Sequence, residues 1–239
     1  MLISNTRATV TGLFTNNGVF TSLNSVGTFS SAVVNNGAWV TDPTTNVFLS
    51  NYTVLNNGSI SMTAGDVFIF KSNFVNQSTQ SNTFNTLAGK FLFDGISVTQ
   101  MFYTAGQDLG PGWTYQSPLN TTNQIGYFGF GSGASSNNFA LGTLEIANFS
   151  TVRVSDVTLS LSPDDGKRAA LYLDWLRMGA NSLLIIDTNV TVYFYQSNTW
   201  NFASNVQLIG DAELHQLIPE PSTLLLIGTG LAKIGRAHV

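Results

Sequence analysis

Acid–base chemistry has few side chains to draw on in this chain of 239 residues. Asp, Glu, Lys and Arg make up 9% of the sequence, against roughly 25% in an ordinary soluble domain. Asp164 and Asp165 are adjacent and could offer hard oxygen ligands to Ca²⁺. No spaced acidic set accompanies them, and Lys167 and Arg168 follow closely, so we expect a solvated turn and no bound metal.

Cleavage of a polysaccharide would need a base and charge-neutralising cations in one groove. The available groups, Asp94, Asp108, Lys90 and Arg153, are isolated from one another in the sequence. Separation along the chain does not prevent them from meeting in space, but it leaves no catalytic set that the sequence can name. A lyase or hydrolase is therefore an alternative rather than the leading interpretation.

Cysteine is absent, and the chain has two histidines. Disulfides, thiolate metal sites and thiol catalysis are therefore excluded. A Ser-His-Asp triad would have to use His215, which lies in a predicted linker, because His238 lies in the extreme tail. We expect neither enzymatic activity nor a cofactor. The net charge of −4, with basic residues scattered singly, also argues against nucleic acid binding.

Aromatic side chains offer a second kind of chemistry, because exposed rings stack on sugars. The stretch from about 100 to 138 is rich in Gly and Pro, which predicts long loops that leave the scaffold. Its candidate glycan-stacking residues are Trp113, Tyr115, Tyr127 and Phe130. The alternative is that these rings cover the flank of the apolar core. We favour that alternative, because no polar motif fixes a partner beside them.

An internal repeat predicts the scaffold that would position these groups. The triplet Asn-Asn-Gly at Asn16 recurs at Asn35 and Asn56 and, weakened to Asn-Gln-Ser, at Asn76, with spacings of 19, 21 and 20 residues. Each copy follows apolar or β-branched residues. A period near 20 with strand-like patterning is typical of a parallel β-helix, or β-solenoid, whose coils stack along one axis.

The repeat also predicts how the coils align. Two columns are expected: Val33, Val54 and Phe74 in one, and Asn35, Asn56 and Asn76 in the other. The glycine of each triplet would supply a positive φ at a corner, and stacked Asn amides would bond one another. In the alternative, Asn-Gly forms type I′ hairpins in a β-sandwich or meander. Residues 8 to 100 resemble the Asn-Gly-rich β-helical passengers of bacterial surface proteins.

Strand patterning returns after Phe139 and continues almost to the tail. Apolar and polar residues alternate around Leu144 and again from Val152, as in half-buried strands. We expect one all-β domain over residues 1–214, with a loop excursion at about 100–138. Residues 215–239 are expected to hold a linker and a C-terminal motif.

That motif is the most specific pattern of the chain. Its residues are Pro219, Glu220, Pro221, Ser222 and Thr223, and an apolar run to Ala232 follows them. The two prolines favour extended geometry, which suits a peptide entering a processing site. The segment resembles the PEP-CTERM sorting signal of exosortase-bearing bacteria. The resemblance implies export, transient retention by one transmembrane helix, and cleavage by a membrane-embedded exosortase.

Both ends depart from that family pattern. A spanning helix needs ~20 apolar residues, whereas the run here stops before Lys233. We therefore expect a truncated sorting helix, with residues 233–239 an artefact of sequence assembly. A secretory signal is also missing from Met1 onward, so we expect the true start to lie upstream.

These observations favour an exported structural or adhesive protein of the cell surface or extracellular matrix. Exosortase is the expected processing partner, and the membrane is expected to be contacted only through the C-terminal segment. Extracellular polysaccharide is a further candidate partner. The alternatives are a carbohydrate-binding module and a β-helix polysaccharide lyase or hydrolase.

Overall fold

The computed structural model describes residues 1–77, 84–104, 108, 139–156, 168–199 and 204–216. Within these ranges the chain forms strands, turns and irregular connections, and it contains no helix. The predicted all-β class is confirmed. In the same ranges no helix is long and apolar enough to cross a membrane.

The strands are short and rich in Val, Ile, Phe and Thr, the residues that fit a pleated surface. They are β1 Leu2–Ser4, β2 Arg7–Val10, β3 Phe14–Asn16, β4 Val19–Phe29, β5 Val33–Asn35, β6 Ala38–Phe48, β7 Tyr52–Val54, β8 Ser59–Ser61, β9 Val67–Phe70, β10 Phe74–Asn76, β11 Phe84–Phe93, β12 Thr99–Thr104, β13 Phe139–Ile146, β14 Thr151–Asp156, β15 Ala169–Met178, β16 Leu183–Ile186, β17 Val190–Ser197, β18 Val206–Leu208 and β19 Glu213–Gln216. Buried and less buried positions alternate along most of them, as in β14, where buried and half-buried residues alternate.

The strands form one sheet of eleven and one sheet of eight, here called the large and the small sheet. Every strand ladder in the described ranges is parallel. The chain alternates between the sheets, so that β3, β5, β7 and β10 are neighbours in the small sheet while the strands between them are neighbours in the large one. One passage through a small-sheet strand and the following large-sheet strands is called a rung below.

Large-sheet strands bend in the middle. Both β1 and β2 pair with β4, and both β8 and β9 pair with β6. At the bend of β4, Asn24 has a φ of 43° and donates from Nδ2 to Asn5 Oδ1 at 2.8 Å. Asn tolerates this left-handed conformation better than most residues, so an Asn pair stabilises the bend in two successive rungs.

The core lies between the sheets and is built from columns of aromatic rings. Phe29, Phe48, Phe70 and Phe93 occupy paired positions on four successive rungs. Their ring centroids lie 5.4, 5.3 and 5.0 Å apart, with interplanar angles of 16°, 16° and 28°. All four rings are buried. Stacking of like residues therefore fixes the register of one rung on the next.

The predicted alignment of the first rungs is wrong at one step. Val33 pairs with Tyr52, which pairs with Phe74, whereas Val54 takes the position of Asn35 in the neighbouring rung. The cause is a longer turn after β7, closed by a bond from Gly58 N to Leu55 O at 2.8 Å. Asn56 therefore lies in the turn and does not align with the other asparagines.

The predicted role of the repeated glycines is also wrong. None of Gly18, Gly37 and Gly58 has a positive φ. A Cβ on Gly37 would lie 2.1 Å from Gly18 O, and a Cβ on Gly58 would lie 2.3 Å from Asn35 O. Glycine is needed because backbones of adjacent rungs approach closely there. The turns also join strands of different sheets, so none is a two-residue hairpin.

The predicted amide ladder exists over a shorter distance than expected. Asn16 Nδ2 donates to Asn35 Oδ1 at 2.8 Å, and Asn35 Nδ2 donates to Ser59 O at 2.9 Å. Both side chains are buried. The amide-to-amide ladder does not continue through the next rung, because Val54 occupies the following position.

Candidate functional site

The four groups considered for polysaccharide cleavage contact four different partners. Asp94 forms an ion pair with Lys71. Lys90 Nζ lies 3.0 Å from Glu145 Oε2, and Arg153 Nη2 lies 2.7 Å from Asp187 Oδ1. Asp108 Oδ1 accepts a hydrogen bond from the Tyr193 hydroxyl at 3.0 Å. The described contacts therefore join different rungs and do not bring the four groups into one catalytic cluster.

Several predicted site residues lie outside the described residues. These are Trp113, Tyr115, Tyr127, Phe130, Asp164, Asp165 and the motif residues Pro219, Glu220, Pro221, Ser222 and Thr223. The predictions made for them stay predictions. His215 is described and lies in β19 rather than in a linker, so strand structure runs two residues past the predicted domain boundary.

A surface groove of about 670 Å³ lies where the large sheet turns toward the small sheet, along β11, β13 and β15. We call it the corner groove and define it by its principal residues, which are Asp94, Ile96, Glu145, Phe149, Arg177 and Asn198. Glu145 pairs with Arg177 in the next strand, so acidic and basic side chains stand side by side on the outer face. The groove thus combines ionic groups with apolar ones.

The apolar part of the groove is unusually exposed. Phe149 is 61% exposed and Ile96 is 66% exposed. Val98, close to Ile96 along the chain, is 55% exposed. Ile96 and Phe149, on two neighbouring rungs, therefore face solvent beside the charged rim, and Val98 is a third exposed apolar residue near Ile96 in the sequence. Clustered exposure of this kind marks binding sites more often than scattered single residues do.

The polar rim is held in place by contacts between rungs. The pairs Lys71–Asp94 and Lys90–Glu145 tie the two carboxylates to neighbouring strands. The Arg177 guanidinium lies 5.0 Å from the centroid of the Trp175 ring, a cation–π contact on the same strand. These fixed groups can donate and accept hydrogen bonds beside an exposed aromatic ring.

A second aromatic group lies on the outer face of the large sheet. Tyr172 and Tyr193 stack with centroids 4.8 Å apart, and Tyr193 stacks on His215 at 5.4 Å. Both tyrosines are buried although they point away from the main core. Burial, followed by the charge of Asp108, raises the pKa of the Tyr193 phenol. A neutral Tyr193 is therefore a hydrogen-bond donor here and not a base.

The long insertions of the chain occur at equivalent points of three rungs. Residues 77–83, 105–138 and 157–168 each connect a small-sheet strand to the large-sheet strand of the same rung, in three successive rungs. The strand ends that flank the segments carrying Trp113 and Asp164 therefore lie at one corner of the stack. Sequence reasoning treated them as unrelated features.

Sequence reasoning missed Phe149 and the corner groove. Phe149 stands between the strand runs that end at Ile146 and resume at Thr151, where turn residues such as Gly, Asn or Ser are expected. A large aromatic residue in a short turn was the available signal. Its neighbours in space, Ile96 and Arg177, are too far apart in sequence to be linked to it by pattern alone.

Comparison with known families gives one match. Residues 217–236 match the family model described as the PEP-CTERM protein-sorting motif. The match contains Pro219 to Thr223, so the recognition of this motif from the sequence is confirmed. It implies an exported protein that exosortase processes and that is anchored at the cell surface. No curated protein and no solved structure was found to match the chain.

Proposed function

We propose that this chain is an exported structural or adhesive protein of the bacterial envelope or extracellular polymer matrix, and that its body is a parallel β-solenoid. The observation that carries the proposal is the stacking of rungs in parallel register, with identical aromatic residues above one another, next to a sorting motif. Such a body gives an elongated scaffold in which each repeat supports its neighbours.

The use of charge supports a structural role. The described ion pairs of Lys71, Lys90, Arg153 and Arg168 link residues of different rungs. Arg168 Nη1, for example, lies 3.2 Å from Asp211 Oδ2, and Asp211 also accepts a hydrogen bond from Thr188. Four of the six Lys and Arg residues that the structure describes therefore form ion pairs between rungs. We propose on this basis that the protein is not an enzyme.

Processing is tested by replacing Pro219 and Pro221 with Ala in a precursor that carries a secretion signal and a full sorting tail, expressed in an exosortase-bearing host. Loss of the pre-extended segment should leave precursor in the membrane fraction. Pro43→Ala, within β6, is the matched control and should be processed normally. Equal release of all three proteins into the medium would refute exosortase sorting.

The structural or adhesive role needs a separate measurement. Cells that display the protein should hold together or adhere to a polymer-coated surface more strongly than cells that lack it. Cells that display a variant with a destabilised β-rich domain should behave like the strain that lacks the protein. Unchanged cohesion and adhesion in the null strain would contradict the proposed role without affecting the sorting proposal.

A carbohydrate-binding module is the second candidate. The observation that favours it is that residues 77–83, 105–138 and 157–168 are inserted at one corner of three successive rungs, because repeat proteins often gather insertions on one face. Trp113→Ala tests this candidate directly, since loss of glycan binding is expected only if that ring stacks on sugar. Binding that survives in the Trp113→Ala, Tyr115→Ala, Tyr127→Ala and Phe130→Ala proteins would remove these residues from the proposal.

A further inference from the structure

Phe149 occupies a backbone position that disfavours it. Its φ is 62°, in the left-handed region, where a bulky residue is an outlier and where Asn and Gly are preferred. Backbone conformations of this kind persist where the surroundings or a function require them. The residue is also largely exposed, so burial of its ring in the protein does not offset the strain.

The neighbouring rungs show what local stability alone would select. Phe149 N donates to Ala180 O at 3.0 Å, and Thr151 pairs with Leu183, which places Asn181 directly beside Phe149 in the stack. Asn181 has a φ of 55°, and Ser97, at the same corner of the preceding rung, has a φ of 68°. The corner therefore takes small polar residues in two rungs and a phenyl ring in the rung between them.

The ring stands at a groove that has room for a ligand. The volume of about 670 Å³ falls within the ~300–1,000 Å³ of ordinary ligand sites. Ile96 extends the apolar surface, while Asp94, Glu145 and Arg177 form the rim. A strained, exposed aromatic residue thus coincides with a built concavity, and the two observations are independent.

The charges at the rim of the corner groove indicate which class of ligand the groove can bind. Lys71 and Lys90 neutralise Asp94 and Glu145 through ion pairs, so the groove presents polar groups without a large net charge. Carboxylate and guanidinium groups of this geometry can bond pairs of hydroxyl groups, and a phenyl ring packs against the apolar face of a sugar ring. A neutral glycan matches both features, whereas a polyanion or polycation gains little from a compensated rim.

We propose that the corner groove is a binding site for a neutral polysaccharide and that Phe149 is its stacking residue. The site is built from the described residues of the groove and does not include Trp113. It would give the proposed envelope protein a direct contact with extracellular polymer, and in that respect it rests on the adhesive role proposed above. The strain at Phe149 is then retained because the ring contacts ligand.

The test replaces Phe149 with Asn, the residue that the adjacent rung uses at this corner. Phe149→Asn should relieve backbone strain and leave the thermal midpoint unchanged or raised by roughly 2–4 °C. The same variant should lose about tenfold in affinity, the upper end of a stacking contribution. Leu13→Asn, an exposed apolar residue in the first rung, is the matched control and should bind like the wild type.

Binding is measured by isothermal titration with a soluble neutral glucan, galactan and mannan, and with a polyuronate as the charged comparison. Binding to a neutral glycan that falls in Phe149→Asn at unchanged or higher stability supports the inference. Wild-type protein that binds none of the neutral glycans, or binds only the polyuronate, overturns it. Equal affinity of wild type and Phe149→Asn overturns it too, as does a parallel loss of stability and affinity. Processing of the Pro219 and Pro221 variants is independent of every one of these outcomes.

Discussion

The close approach of adjacent rungs makes Gly37→Ala the sharpest test of how this stack is built. A Cβ at Gly37 would lie 2.1 Å from Gly18 O and 2.7 Å from Gly18 N. Non-bonded carbon and oxygen atoms need roughly 3 Å or more, so the two rungs would have to separate by about 1 Å at this turn. The perturbation acts on backbone atoms, which cannot rotate away as a side chain can.

The magnitude follows from two effects. Overpacking of a dense interior costs about 1–3 kcal/mol. The separation would also lengthen the flanking bonds from Ala38 N to Gly18 O at 2.7 Å and from Ser59 N to Gly37 O at 2.9 Å, each worth ~1 kcal/mol. We expect Gly37→Ala to lower the free energy of unfolding by about 3 kcal/mol.

Gly18→Ala is the matched control, because it changes the same triplet one rung earlier. A Cβ at Gly18 has no atom within 4 Å, so the expected change is within ~0.5 kcal/mol. Replacing Gly by Ala also stiffens the unfolded chain, but this effect is the same for both variants and cancels in the comparison. A requirement for positive φ would instead penalise both substitutions.

The assay is urea unfolding followed by far-ultraviolet circular dichroism and by tryptophan fluorescence. Coincident midpoints from the two probes are needed, because a stack of repeats can lose cooperativity and unfold in parts. Equal free energies of unfolding for Gly18→Ala and Gly37→Ala would refute the explanation by close approach.

Three further predictions test the core, a buried carboxylate and the absence of catalysis. Phe70→Ala should cost about 4 kcal/mol, because a buried ring stacked on both sides is lost, whereas exposed Phe149→Ala should change stability by less than ~0.5 kcal/mol in the same urea assay. Asp66→Asn should cost about 3 kcal/mol, because the buried carboxylate accepts bonds from two backbone amides and two hydroxyls; a Tm equal to that of the wild type would contradict this. Purified protein should not depolymerise neutral or acidic polysaccharides in a reducing-end assay; cleavage that disappears in Asp94→Asn or Asp108→Asn would instead establish the lyase alternative.

The sequence predicted the all-β class, because strand formation depends on local patterns. Apolar alternation and the recurring Asn-Gly turns are short-range signals, and they indicated strands separated by short turns. The alignment at Val54 could not be predicted in the same way. It depends on a turn that is two residues longer after β7 than after β5, and only the packing of Tyr52 between Val33 and Phe74 decides where those residues go.

The role of the glycines shows a different limit. Asn-Gly predicts a positive φ because isolated turns use glycine for that purpose. In this stack six non-glycine residues among the described ones, such as Asn24 and Asn181, have a positive φ, as do Gly65 and Gly210. Of the triplet glycines, Gly37 and Gly58 instead allow the close contact between rungs. A single sequence does not reveal how close two backbone segments come when they are 19 residues apart. The requirement for glycine in the triplet was therefore predicted, but the predicted cause, a positive φ, was wrong.

The candidate groove lay beyond prediction because its parts come from four rungs. Asp94, Glu145, Arg177 and Asn198 are separated from one to the next by 51, 32 and 21 residues along the chain, yet the parallel stacking of rungs brings all four to the groove. The insertions make the spatial proximity of these residues harder to predict. The sequence separation between paired small-sheet residues grows from 19 at Phe14 and Val33 to 52 at Phe102 and Val154. The loss of sequence period after residue 100 was therefore no sign that the scaffold had ended.

The position of the insertions explains how the stack keeps its register despite them. Each long insertion lies between a small-sheet strand and the large-sheet strand of the same rung, and the inward residues on either side still align, as Phe102 does with Phe74 and Ile146 with Phe93. The core columns fix where a rung must resume, so chain length can vary at this corner with little effect on the packing of the next rung. A longer loop at this corner costs little free energy of folding, because the entropic cost of loop closure rises only slowly with loop length. A scaffold of this kind can acquire new surface loops while its aromatic core stays unchanged, which is the property that a protein displayed at the cell surface would use.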